Sequence, residues 1–89
     1  MTYFHALYTE AEQPDIVAVS DAGTFLGWFD RKEYDRSTPP EAQPIWRIRQ
    51  VSQTEENGCT TTKILYPNGR DEYSQVWDDR ESLTYNYRN

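Results

Sequence analysis

A single cysteine and a single histidine remove several classes of function at once. Cys59 cannot build a disulfide framework by itself, and one Cys with His5 falls short of the four ligands of a structural zinc site. Such sparing use of thiols fits a reducing compartment, so the cytoplasm is the expected location and no cofactor is expected. No run approaches the roughly 20 apolar residues of a membrane-crossing helix, and Met1-Thr-Tyr-Phe-His lacks the basic segment that opens a signal peptide. Positive charge is also scarce. A net charge of -6 weighs against nucleic acid and anionic membranes, which select basic patches, and favours another protein with a basic surface. The acidity is uneven, with eight acids against three bases in residues 1–43 and seven against six in residues 44–89.

What the chain has is rings. Only 36% of its 89 residues are hydrophobic, yet 15% are aromatic, so three Trp, seven Tyr and three Phe must supply most of one small core. Chain length implies a single domain, 1–89, with little room for a cavity.

The clearest local signal is Lys63 to Trp77, where two β-prone runs flank Pro67-Asn68-Gly69. Proline presets φ for the first turn position, and Asn and Gly tolerate the left-handed conformation that follows. This predicts a hairpin, with register open between a three-residue and a four-residue loop. Pairing Tyr66 with Asp71 aligns Ile64, Tyr66, Tyr73 and Trp77 on one apolar face.

Along the chain, Thr2 to Thr9 reads as a first strand. Asp15 to Ser20 and Thr24 to Phe29 read as a second hairpin around Asp21-Ala22-Gly23. Gly27, inside the return strand, suggests a bulge or a ring lying on bare backbone. The segment around residues 31–36 follows a capping-box-like Asp30 and Glu33, which predicts one or two helical turns. Three prolines make residues 38–44 an extended connector between an N-terminal hairpin unit, 1–37, and a four-strand meander, 45–88. In Ile45 to Gln53 the alternation places Trp46 and Ile48 on one side and Arg47, Arg49 and Val51 on the other. Thr54-Glu-Glu-Asn-Gly58 turns the chain, and if Gln53 pairs near Cys59, Ile48 faces Ile64 and Trp46 faces Tyr66, leaving Arg47, Arg49 and Lys63 on a non-aromatic face, where they could bind an anion or an acidic partner or simply suppress aggregation. Residues 78–82 read as a charged turn or a single helical turn, and Leu83 to Arg88 as a last strand. The expected fold is mainly β: about seven short antiparallel strands in hairpins, forming a strongly twisted sheet or a small, partly open barrel.

No residue stands out as catalytic or metal-binding. His5 needs a partner that sequence does not supply, Cys59 has no implied activator, and no calcium-loop spacing occurs among the acids. Two surfaces remain as candidates. The acids Glu55, Glu56, Asp71, Glu72, Asp78, Asp79 and Glu81 offer an interaction surface that could imitate phosphates toward a basic partner. The rings Trp28, Trp46, Tyr73, Trp77 and Tyr85 offer the lining of a ligand pocket. A non-enzymatic interaction module is therefore expected, with a small-molecule carrier as the alternative, and edge strands offer a route to a homodimer.

One stretch resembles a known family. Tyr66-Pro-Asn-Gly-Arg-Asp-Glu-Tyr-Ser-Gln-Val-Trp77, followed by Leu83-Thr-Tyr-Asn-Tyr87, looks like a single copy of a MORN repeat, a tandem hairpin with a Tyr-x-x-Gly turn. The likeness covers about a quarter of the chain. It lacks the later glycines of that family, carries an extra residue between Gly69 and Tyr73, and is not repeated, so it implies a hairpin and no function.

Overall fold

The computed structural model describes residues 13–89; the strand expected at Thr2 to Thr9 and the histidine within it lie outside that range. The described chain forms β1 (Ile16–Ser20), β2 (Gly23–Phe29), β3 (Pro44–Glu56), β4 (Cys59–Pro67), β5 (Gln75–Val76) and β6 (Tyr85–Asn86). All six described strands join one open antiparallel sheet in the order β1-β2-β3-β4-β6, with β5 attached to β3. The expected mainly β fold is present, as a sheet that does not close into a barrel. The N-terminal hairpin and the C-terminal strands belong to the same sheet, because β2 pairs with β3 from Thr24↔Val51 to Phe29↔Trp46.

Two hairpins follow from their turns. Asp21 and Ala22 connect β1 to β2, and Ser20 pairs with Gly23, whose φ of 123° suits glycine. Asn57 and Gly58, at φ 54° and 78°, connect β3 to β4 so that Glu56 pairs with Cys59. This two-residue loop has the positive φ angles of a type I′ turn, and its twist matches the flanking strands. The register it sets corrects the pairing expected from Gln53 near Cys59: Gln53 pairs with Thr62, and Val51 with Ile64. A shift by an odd number of residues turns the strand over. Ile64 therefore joins Leu26, Trp28 and Val51, while Lys63, opposite Ser52, leaves the face of Arg47 and Arg49.

The predicted hairpin at Pro67-Asn68-Gly69 does not form, although the turn does. Gly69 N–H donates to the Tyr66 carbonyl at 2.9 Å and Arg70 N–H to that of Pro67 at 2.9 Å, with Asn68 and Gly69 at φ 53° and 74°. The chain then leaves β4 and pairs β5 with the start of β3, Pro44↔Val76 and Trp46↔Gln75, while β6 takes the edge of β4 at Tyr66 and Pro67. The result is not a four-strand meander. The physical reason is Trp77, which reaches the core only if the chain crosses to β3.

That core lies on one face of the sheet. Phe25, Ile45, Trp46, Ile48 and Trp77 are buried together, with Ile16, Ala18, Phe29, Tyr34, Leu83 and Tyr85 packed around them. Trp46 lies between Phe29 and Trp77, at ring-centroid distances of 5.1 and 5.4 Å, and its indole N–H donates to the Pro40 carbonyl at 2.8 Å. Gly27 supplies the space for Trp77: a Cβ built there would lie 2.5 Å from the indole Cζ3 and 2.9 Å from Ile16 Cγ2. The suggestion of a ring on bare backbone is thus realised.

Residues 31–36 turn rather than wind a helix. Asp30 Oδ1 accepts from Lys32 N–H and Asp35 Oδ1 from Ser37 N–H, local bonds that compete with helical ones, and Pro39 and Pro40 follow. The proline-rich connector includes a three-residue 3-10 turn, Pro40–Ala42, and a second 3-10 segment spans Trp77–Ser82. Tyr85 closes the core edge by donating its hydroxyl to the Arg80 carbonyl at 2.7 Å.

Three outcomes follow for stability. Gly27→Ala should destabilise the protein by about 3 kcal/mol in urea unfolding, because neither indole nor strand can move aside. Gly58→Ala meets no neighbour within 4 Å and should cost only about 1 kcal/mol, through its positive φ. Burial, partly opposed by the Arg80 charge, pushes the Tyr85 phenol far above its ordinary value of 10.0. The folded state therefore holds that proton more tightly than the unfolded chain. Stability from this source is complete below about pH 10 and declines as pH rises further. Thermal unfolding across this range should show Tyr85→Phe losing less stability at alkaline pH than wild type, after costing about 1 kcal/mol at neutral pH for the lost hydrogen bond.

Candidate functional site

The opposite face of the sheet is built on Trp28. Alternation along β2 sends Phe25 into the core and Leu26 and Trp28 to this side, where cross-strand pairing sets Arg49 beside Leu26 and Arg47 beside Trp28. Both guanidinium carbons lie 4.8 Å from the centroid of the same indole. Arg47 also lies 5.3 Å from the Tyr73 ring, and Arg49 lies 5.8 Å from the Tyr66 ring. Two guanidinium groups thus lie within 6 Å of three aromatic rings, close enough for cation–π attraction.

Asp71 reaches this cluster from the loop after Pro67. The loop is held at Asn68, whose N–H donates to the Thr84 carbonyl at 2.7 Å, and at Ser74, whose N–H donates to the Trp46 carbonyl at 3.1 Å. Its carboxylate stands 3.6 Å from Arg47 Nε and 3.6 Å from Arg49 Nη2. These distances give ion pairs without hydrogen bonds. The three side chains are only 14 to 22% exposed, and Arg47 Nε, Arg49 Nε and Asp71 Oδ1 are buried without a hydrogen-bond partner.

Next to the cluster runs an open groove of about 450 Å³, lined by Asp15, Trp28, Phe29, Asp30, Arg31, Lys32 and Tyr73. Arg31 caps the Phe29 ring at 4.4 Å and pairs with Asp15, which also accepts from the Phe29 N–H at 3.0 Å. The groove therefore combines aromatic walls with a rim of both charges, open enough for a side chain or a segment of another molecule.

The candidate residues fall in different places. Of the proposed pocket rings, Trp28 and Tyr73 line the groove, whereas Trp46 and Trp77 fill the core on the other face and Tyr85 packs against Phe25 at 5.7 Å. They do not enclose one pocket. Of the acids, Glu55 and Glu56 are exposed on the β3–β4 hairpin, and Asp78, Asp79 and Glu81 are exposed on the 3-10 segment after β5. Twelve residue steps along β3 separate Glu56 from Pro44, the partner of Val76, so the two groups stand about 40 Å apart. Glu72 is exposed, 3.6 Å from Arg70, and Asp71 belongs to the arginine cluster. Cys59 is exposed at the first position of β4. Among the described residues, no three His, Cys, Asp or Glu side chains are placed to hold a metal ion, and no helix is long and apolar enough to cross a membrane.

The arginine cluster was invisible to alternation alone, which left Arg47 and Arg49 on a non-aromatic face. Asn57-Gly58 carried the missing signal. Reading it as a two-residue turn brings Ile64 and Tyr66 onto the arginine side. No family model, curated protein or solved structure matches the chain, so the likeness to a MORN repeat gains no support and the site is read from its geometry.

The stacking energies should differ with exposure. A double-mutant cycle in urea unfolding between Arg47→Met and Trp28→Leu should give a coupling of about 2 kcal/mol, because both groups are desolvated. The cycle with Tyr73→Leu, whose ring is 46% exposed, should give about 0.5 kcal/mol.

Proposed function

We propose that this chain is a non-enzymatic interaction module that docks another protein at the groove beside Trp28. The observation that carries the reading is the groove itself, where Trp28, Phe29 and Tyr73 meet Arg31, Lys32, Asp15 and Asp30. Aromatic residues and arginine dominate binding energy at interfaces, since they combine large apolar area with directional polar contacts. The net charge of -6 favours a partner with a basic surface. Exposed Glu72, Asp78, Asp79 and Glu81 contribute to that field, as do Glu55 and Glu56 at the hairpin. Their separation supports a general attraction for a basic protein more than a continuous imitation of a phosphate row. A cytoplasmic location and self-association through a strand edge remain parts of the same proposal.

A small-molecule carrier is the second reading, favoured by one observation: about 450 Å³ lies within the range of ligand sites, roughly 300–1,000 Å³. The two readings separate in one experiment. Immobilised wild-type protein should retain a partner protein from its native lysate, the partner should elute as salt is raised, and Tyr73→Ala with intact far-UV circular dichroism should lose it. Folded wild-type protein that retains nothing above background, or a partner held equally by Tyr73→Ala, contradicts docking at this groove. A small molecule released from the purified protein on denaturation favours the carrier.

A further inference from the structure

The cluster above the groove has an excess of cation. Among the described residues, two guanidinium groups share one carboxylate, leaving one uncompensated positive charge within a chain of net charge -6. Among the described residues, neither guanidinium makes a hydrogen bond, since Asp71 stands 3.6 Å from each. Of their nitrogens only the Nε atoms are both buried and unpartnered; the terminal Nη nitrogens are not among the buried, unpartnered atoms. Packing of both groups against Trp28, with Tyr73 and Tyr66 nearby, restrains the two side chains without using up their N–H donors. Arginine held this way is prepared for an oxyanion, because its N–H fork matches two oxygens of a carboxylate or phosphate at little further cost in side-chain freedom.

We propose that Arg47 and Arg49 form an oxyanion-binding site and that Asp71 is its built-in competitor. Asp71 enters from a loop, not from the sheet that fixes the arginines, and Oδ1 is buried without a hydrogen-bond donor. Its carboxylate lowers the local charge without saturating the guanidinium donors. An incoming oxyanion competes with that charge, so the affinity of the site is set by Asp71 as much as by the arginines. The site is independent of the groove's proposed partner, although it shares Trp28 and Tyr73 with the groove walls. The recognised chemistry is a group with two or more equivalent anionic oxygens, whether carboxylate or phosphate.

The test is a titration of the full chain with sodium phosphate, and separately with sodium acetate, against sodium chloride at matched ionic strength. The side-chain Nε–H signals of Arg47 and Arg49 are followed by NMR. Saturable shifts of both signals with either oxyanion are expected, and the anion that binds more tightly identifies the source chemistry. Asp71→Asn, which keeps shape and removes charge, should tighten binding by about tenfold. Arg49→Lys, which keeps charge and removes the planar fork, should weaken it by about tenfold. Shifts no larger than those in chloride overturn the site. Binding unchanged in Asp71→Asn overturns the competitor role, and binding unchanged in Arg49→Lys overturns the bidentate geometry.

Discussion

The contact of the Trp77 indole with the bare backbone of Gly27 decides where the second half of this chain goes. A Cβ at residue 27 would stand within 3 Å of both the indole and Ile16, so the contact depends on glycine. With the space open, Trp77 packs against Trp46 in a tilted contact and completes a core that has few aliphatic residues to draw on. This burial sets the path of the chain before it. To place Trp77 under β2, the segment after Pro67 must abandon β4 and run along β3, which it does through β5. The strands at Tyr85 and Asn86 then take the vacated edge of β4.

The same detour shapes the opposite face. Residues 68–74 become a loop held at both ends, and the loop brings Asp71 and Tyr73 over Arg47, Arg49 and Trp28. A simple hairpin would have placed Tyr73 in a strand beside β4. One apolar contact in the core is in this way coupled to a polar cluster on the other side of the sheet. The cluster is underfilled, with three buried polar atoms lacking hydrogen bonds, and such groups are costly unless something else engages them. That cost is tolerable where a function uses the exposed edges of the guanidiniums.

Much of the fold could be read from local chemistry. Asp21-Ala22-Gly23 marked one hairpin, the alternation from Trp46 to Val51 separated the two faces of β3, and Gly27 signalled a ring against backbone. The differences have a common physical cause: the most conspicuous local turn need not set which strands pair. Pro67-Asn68-Gly69 turns the chain, but a turn does not require its flanks to pair, and the burial of Trp77 outweighs the local hairpin. Asn57-Gly58 was absorbed into a longer loop, yet as a two-residue turn it fixes the register over seven pairs. With that register lost, Ile64 and Tyr66 were assigned to the wrong side. The arginine cluster disappeared with them. Asp71 was read as a surface acid because nothing in its neighbours, Arg70 and Glu72, announces two arginines some twenty residues earlier. The groove was partly legible, since Trp28 and Tyr73 were named, but Phe29 and its Arg31 cap depend on a turn that replaced an expected helix.

The route of the chain between Pro67 and Trp77 underlies both faces of the sheet, and proton NMR of the unmodified protein tests that route directly. Nuclear Overhauser contacts between the Gly27 α protons and the Trp77 ring, with those α protons shifted upfield by the indole, are predicted. Cross-strand contacts between Tyr66 and Asp71, with no Gly27–Trp77 contact, would show that the chain folds back on β4 and would contradict both the crossing and the arginine cluster built on it.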